Sequence, residues 1–198
     1  MNKMKVFFWA LAFMGIVSCG GPAEKGAEQG QHNDVSAFEQ ESFQTFYQNL
    51  QSLCGKSFEG KQVYMQEGRE SWEEKGMIMH VTVCEDDELH IPFHLDEDHS
   101  RTWMFFNEDG KLRFRHDHRY KDGTPEEMTM YGGYADAERG TPFYQVFPAD
   151  KYTIDIHPIS VDSEWVVELS EDLSVFSYQL HHEGEMIFEA RFDLSNPV

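Results

Sequence analysis

The chain has 198 residues, 36 acidic against 16 basic, and its net charge of −20 sets it against nucleic acid and other polyanionic partners. Hydrophobic residues make up 40% of the chain, which is enough apolar material for one full core and excludes a wholly disordered acidic protein.

At the N-terminus, Lys3 and Lys5 precede an apolar run from Val6 to Val17, closed by Ser18, Cys19 and two glycines. A membrane span needs ~20 apolar residues, and this run is about a dozen, the build of an export signal. Ile16-Val17-Ser18-Cys19 resembles the lipobox of bacterial lipoproteins. The resemblance implies a signal peptide over 1–18, cleavage before Cys19, and acyl chains such as palmitate on Cys19. The protein would then be exported and lipid-anchored to the cell envelope, on the periplasmic side or beyond. Gly20 stands where an aspartate would favour inner-membrane retention, so the outer membrane is the expected site.

Cleavage would remove Lys3 and Lys5 and leave 14 of the 16 basic residues against all 36 acidic ones, a net charge of −22. An anionic bilayer surface repels such a domain. The lipid on Cys19, at ~0.8 kcal/mol per buried CH₂, must therefore do the anchoring. Residues 19–35 are rich in Gly, Gln, Glu and Ala and read as a flexible tether. The domain proper is then 36–198. In an oxidising compartment the two remaining cysteines, Cys54 and Cys84, are an even pair and a candidate disulfide; two separate buried thiols are the alternative.

Ser36 and Glu39 have capping-box spacing, and Phe43, Phe46, Tyr47, Leu50 and Leu53 follow at helical intervals, with Gly55 as the stop. One amphipathic helix is expected here. Beyond it the period changes to two. Met77, Met79, Val81 and Val83 fall at alternate positions, as do Leu89, Ile91, Phe93 and Leu95. Counting the turns Glu85–Asp87, Asp96–Ser100 and Asn107–Gly110 pairs 83 with 89, 93 with 103, and 105 with 112, which keeps one apolar face through four antiparallel strands over 77–119.

Farther on, 127–131, 143–147 and 152–156 read as short strands, and Gly132–Pro142 as a polar loop. Near the C-terminus, Met186, Phe188, Ala190, Phe192 and Leu194 form one face. A three-residue loop His182-Glu183-Gly184 pairs Phe188 with Tyr178 and keeps that face apolar, whereas a two-residue turn would set it opposite Gln179 and His181. Trp165, Val167 and Leu169 join the same face.

The expected fold is mainly β: an antiparallel up-and-down barrel of 8–10 strands with one N-terminal amphipathic helix, since closure removes exposed edges. In architecture it is similar to a lipocalin-like barrel, with Gly55 to Gly60 only a loose echo of that family's Gly-x-Trp signature. A jelly roll or cupin-like sandwich is the alternative.

Chemistry concentrates on the strand 111–120. Its even positions read Leu112, Phe114, His116, His118 and Tyr120, so the apolar face ends in two histidines. Residues two apart on a strand lie ~6.5–7 Å apart, and both rings could reach one metal ion if Asp122, Glu126 or His181 supplied a third ligand. Gly110, His116-x-His118 and a following acidic residue look like part of the first cupin metal motif, although Asp122 stands where glutamate is usual. That resemblance implies a metal-dependent enzyme. Residues 115–119, Asp122-Gly123-Thr124-Pro125 and Tyr131-Gly132-Gly133 also resemble uncharacterised secreted bacterial proteins, which implies no activity. The bland reading makes the histidines polar contacts at the barrel mouth, with Asp117 and Arg119 solvated outside.

No nucleophile elbow, phosphate loop or Cys-x-x-Cys pair occurs. The leading expectation is a non-enzymatic envelope domain that binds a small, partly apolar ligand or an envelope partner, the ligand lined by Trp103, Phe105, Phe114, His116, His118 and Tyr178, with no cofactor beyond the candidate metal. A purely structural module is the remaining alternative.

Overall fold

The fold is described from a computed structural model that covers residues 35–198. The segment 1–18, Cys19 and all of the 19–35 tether except Val35 lie outside the described residues.

Helix α1 (Glu41–Gln51) is followed by strands β1 (Ser57–Met65), β2 (Met77–His80), β3 (Val83–Cys84), β4 (Glu88–Leu95), β5 (Asp98–Glu108), β6 (Lys111–His118), β7 (Tyr131–Tyr134) and β8 (Tyr144–Pro148). Helix α2 (Lys151–Ile156) and a 3₁₀ turn (Pro158–Asp162) lead into β9 (Ser163–Leu169), β10 (Val175–His182) and β11 (Glu185–Pro197). All eleven strands belong to one antiparallel sheet, in the order β7-β6-β5-β4-β2-β1-β11-β10-β9-β8, with β3 pairing β4 to one side. The expected mainly β, up-and-down barrel is therefore the fold. With one sheet among the described residues, there is no second layer for a jelly roll. The count exceeds 8–10 because β1 joins the sheet and a break at Val81-Thr82 separates β3 from β2.

The sheet is nearly closed. Its free edges β7 and β8 meet at a seam held by Asp136 N–H to Val146 O (2.8 Å) and Asp150 N–H to Gly132 O (3.0 Å). A β-carbon on Gly133 would lie 1.8 Å from the Pro148 carbonyl oxygen, so only glycine allows this approach.

Most face assignments hold while registers shift; Val83, which pairs with outward His90, and Met186, which pairs with His181, leave the apolar face where they were expected. Trp103 pairs with Ile91 and His116, and Phe105 with Phe114, each two residues away from the count made on turn length. The loops are shorter than expected: β5 and β6 are joined by the two-residue turn Asp109-Gly110, both with positive φ, the geometry that matches strand twist. Cys84, rather than Val83, pairs with Leu89. At β10–β11 the chain takes the two-residue turn Glu183-Gly184 after all, since His182 pairs with Glu185. A bulge at Ile187 then inserts one residue, so Leu180 pairs with Phe188 and Tyr178 with Ala190. The apolar face survives through that bulge.

Three local expectations are corrected. The helix begins at Glu41, with Gln40 as an N-cap that makes no side-chain capping bond, so the Ser36/Glu39 box does not form. Residues 152–156 lie in helix α2 instead of a strand, because Asp150 Oδ1 accepts from Thr153 N–H (3.0 Å) and starts a helical turn just after Pro148 ends β8. The short strand expected over 127–131 begins only at Tyr131 and runs on through Gly132 and Gly133.

Helix α1 buries Phe43, Phe46, Tyr47 and Leu50 across one end of the barrel. It is tied there by Tyr47 Oη and Gln51 Nε2 donating to Glu85 O (3.0 and 2.9 Å) and by Asn49 Nδ2 donating to Pro142 O (3.0 Å). Just beyond it, Cys54 and Cys84 are bridged as a disulfide with Cα atoms 6.2 Å apart.

Candidate functional site

Antiparallel strands alternate their turns between two ends, and α1 covers only one of them. The Phe46 ring lies 6.2 Å from Phe105, and Phe105 and Phe114 pack on Phe147 at 6.0 and 5.4 Å, so this half of the barrel is solid. Toward the opposite end, bordered by the chain after β1, the β6–β7 loop, α2 and the 3₁₀ turn, lies a cavity of about 640 Å³. That volume lies within the ~300–1,000 Å³ usual for small-molecule sites.

Its walls are Arg101 and Trp103 from β5, His116 and His118 from β6, Tyr131 from β7, Trp165 from β9, Tyr178 and Leu180 from β10, and Ile187 and Phe188 from β11. Trp72 enters from the β1–β2 connection, and Ile156, His157 and Ile159 from the α2 region. Four of the six residues expected to line a ligand therefore do border this space: Trp103, His116, His118 and Tyr178. Phe105 and Phe114 do not, because they sit nearer α1 in the filled half. Trp103 is stacked on Phe93 (5.0 Å) and on Tyr178 (4.4 Å).

The two histidines do not converge on a metal. His118 spends both ring nitrogens, Nδ1 on Glu126 Oε2 (2.7 Å) and Nε2 on Ser100 Oγ (2.9 Å). His116 Nδ1 meets the Tyr131 hydroxyl at 2.7 Å, and the two imidazoles are 6.2 Å apart with planes at 77°. Among the described residues no group of three or more His, Cys, Asp or Glu has metal-holding geometry. Of the third ligands considered, Glu126 does reach His118. Asp122 instead accepts from Thr124 in its own exposed turn, and His181 bonds Gln179.

Asp117 is also corrected, since it is buried rather than solvated, accepting from Thr129 Oγ1 (2.8 Å) and Arg119 Nε (2.5 Å). Ser100, His118 and Glu126 form a hydroxyl–imidazole–carboxylate chain in the order used by serine hydrolases. Ser100 itself does not border the cavity.

Electrostatics set the character of the site. Burial, then the Arg101 charge and then His118 lower the His116 pKa from 6.5 to about 3, so its ring is neutral. Burial raises the Tyr131 hydroxyl pKa against the opposing pull of Arg101. Burial likewise pushes Tyr178 far above its ordinary value, although Trp103, Arg101 and Trp165 pull the other way. Asp98 is held well below the carboxylate range: burial opposes this, but hydrogen bonds from Ser100 and Arg101 outweigh it. Arg101 thus enters a mostly aromatic space as one half of an ion pair with Asp98.

Arg101, Trp72, Tyr131 and Trp165 were not among the expected site residues. For Arg101 a signal existed, because it shares the odd, inward series of β5 with Trp103 and Phe105. Of the other histidines, His90 and His94 lie outward as expected; His94 stacks on His99 (3.7 Å) and bonds His80 (3.0 Å).

The chain matches no protein-family model, no curated protein and no solved structure. No helix of the described residues is long and apolar enough to cross a membrane.

Proposed function

We propose that this chain is an exported envelope lipoprotein, anchored in the outer membrane through lipid on Cys19, whose barrel domain binds a small, partly apolar ligand without transforming it. The observation that carries the binding reading is the division of the barrel into a solid half under α1 and a 640 Å³ hollow half walled by Trp103, Tyr178 and Phe188 with a few polar groups among them. A module with a purely structural duty gains nothing from leaving that volume unfilled, because core voids cost stability.

Native mass spectrometry of the full chain purified from its own membranes tests the reading. A co-purifying small molecule that is lost on Leu180→Trp is the expected result. Protein that carries none, and whose tryptophan emission ignores the extracted cell lipids, overturns it. The anchor has its own test: Cys19→Ser should abolish acyl labelling and release the protein from membranes.

A second reading, hydrolysis of an ester, is favoured by the Ser100–His118–Glu126 chain alone. It requires that a fluorophosphonate label the protein and that Ser100→Ala abolish the labelling; an unlabelled wild type eliminates it.

A further inference from the structure

Three hydrogen-bond donors stand on one patch of the cavity wall with unused capacity. Trp103 Nε1 and His116 Nε2 are buried and make no hydrogen bond of good geometry, although the Trp103 N–H lies near enough to the Tyr178 hydroxyl to lower its pKa, and the two residues face each other across β5 and β6. Arg101 lies two residues along β5 on the same face, opposite His118. Its Nη1 donates to Asp98 and its guanidinium lies over the Trp72 ring at 5.5 Å; among the described residues its other N–H groups have no acceptor. Neighbouring same-face positions on a strand are ~7 Å apart, so the three donors fall within reach of one small head group.

Hydrogen-bond counting assigns the His116 tautomer. If Tyr131 Oη donates to Nδ1, every proton in that pair is used and Nε2 carries a hydrogen. The opposite tautomer would strand both the buried phenol hydrogen and the Nε2 lone pair. His116 Nε2 is therefore a donor, like Trp103 Nε1. With only the Tyr178 hydroxyl near them, the donors outnumber the acceptors, and a ligand that brings oxygen would meet that deficit. Two arginines border the cavity, but Arg69 is exposed and bonds Gln66, and Arg101 is paired with Asp98 through Nη1, so what the patch offers an anion is the remaining Arg101 N–H groups beside a neutral His116.

Two carboxylates also border the cavity, but Glu126 is held by His118 and Glu70 by Lys75 (3.5 Å), so neither competes for this patch. The strongly acidic exterior would gather cations, yet the patch offers them nothing to coordinate.

We propose that the cavity takes a carboxylate-bearing amphiphile, its carboxylate accepting from Arg101, Trp103 Nε1 and His116 Nε2 and its apolar body lying along Tyr178, Leu180 and Phe188. This rests on the cavity being a ligand site. Charge-assisted bonds from a guanidinium to a carboxylate are about twice as strong as neutral ones, which sets the acid above its amide.

Calorimetric titration of the full chain in mild detergent with octanoate, octanamide and octan-1-ol tests it. Octanoate should bind about tenfold more tightly than octanamide. Arg101→Gln should remove that margin, and Trp103→Phe, which keeps the ring and deletes the donor, should weaken octanoate while leaving octan-1-ol within about twofold. Equal affinity for all three probes, or an unchanged margin in folded Arg101→Gln, overturns the head-group assignment while the cavity still binds. If none of the probes binds, the assignment falls, and the wider reading is then decided by the co-purification experiment alone.

Discussion

The Tyr131 hydroxyl and His116 Nδ1 meet at 2.7 Å on the cavity wall, and the bond joins two groups that burial keeps neutral. Tyr131 reaches this position because β7 pairs with β6 directly opposite His116. The pair explains how an imidazole can be buried beside an arginine: it stays deprotonated, accepts from the phenol and leaves its second nitrogen without a protein partner.

A pH dependence follows from the lowered His116 pKa. The unfolded chain takes up a proton near pH 6.5, whereas the folded chain resists it down to about 3. Stability from this group is full above 6.5 and is lost as pH falls toward 3. At pH 5 the loss is about 2 kcal/mol. His80 and His94, each lowered by burial first and then by neighbouring histidines, add to the same trend. Urea denaturation at pH 7 and pH 5 should show the wild type losing more stability than His116→Gln, whose side chain does not titrate. Parallel losses in both would refute the assignment.

Asp150 does two jobs at the barrel seam. It caps α2 through Thr153, and its Oδ2 pairs with Arg115, whose side chain is only 3% exposed. Asp150→Ala removes the cap and leaves a buried guanidinium without its counter-ion, a change of about 3–5 kcal/mol. Asp150→Asn keeps a capping oxygen and should recover part of the loss. Thermal unfolding of the two variants separates the contributions, and a wild-type midpoint for Asp150→Ala would contradict the arrangement.

The disulfide closes a loop between residues 30 positions apart and ties the end of α1 to β3. By chain entropy it contributes about 3–4 kcal/mol. Cys54→Ser with Cys84→Ser should lower the urea midpoint accordingly and leave ligand binding intact, since the bridge lies at the α1 end, away from the cavity. A non-reducing peptide map gives the pairing directly.

Alternation makes the faces of β2, β4 to β6 and β9 to β11 legible, whereas register depends on turns that a residue pattern describes poorly. Trp103 and Phe105 were assigned inward correctly although their partners differ by two residues, because a slip of two preserves side-chain direction. Strand β1 shows no apolar alternation in the sequence because Phe58 is its one large buried apolar side chain. Gly60 belongs there because the Phe192 ring covers it, and a β-carbon would lie 2.3 Å from that ring. Helix α2 was hidden by the alternation of Tyr152, Ile154 and Ile156, which a capping aspartate overrides. At the site, His116 and His118 stood out by residue type. What they do depends on Tyr131, Ser100 and Glu126, which loops and pairing bring to them and which no spacing within β6 reveals.

The division into solid and hollow halves separates stability from binding. Phe105 and Trp103 are both essentially buried and sit two residues apart on β5, yet Phe105 meets Phe46 and Phe147 in the solid half while Trp103 borders the cavity. Phe105→Ala leaves a void among packed rings and should cost about 3–5 kcal/mol. It should leave octanoate affinity within about twofold at temperatures where the variant remains folded. Leu180→Trp should do the reverse, because Leu180 borders the cavity and the larger ring can occupy existing space with little strain on packed neighbours. Its unfolding midpoint should match or exceed the wild type while octanoate binding is lost. Should Leu180→Trp bind normally, or Phe105→Ala lose binding while still folded, the boundary between the two halves would lie elsewhere than the structure puts it.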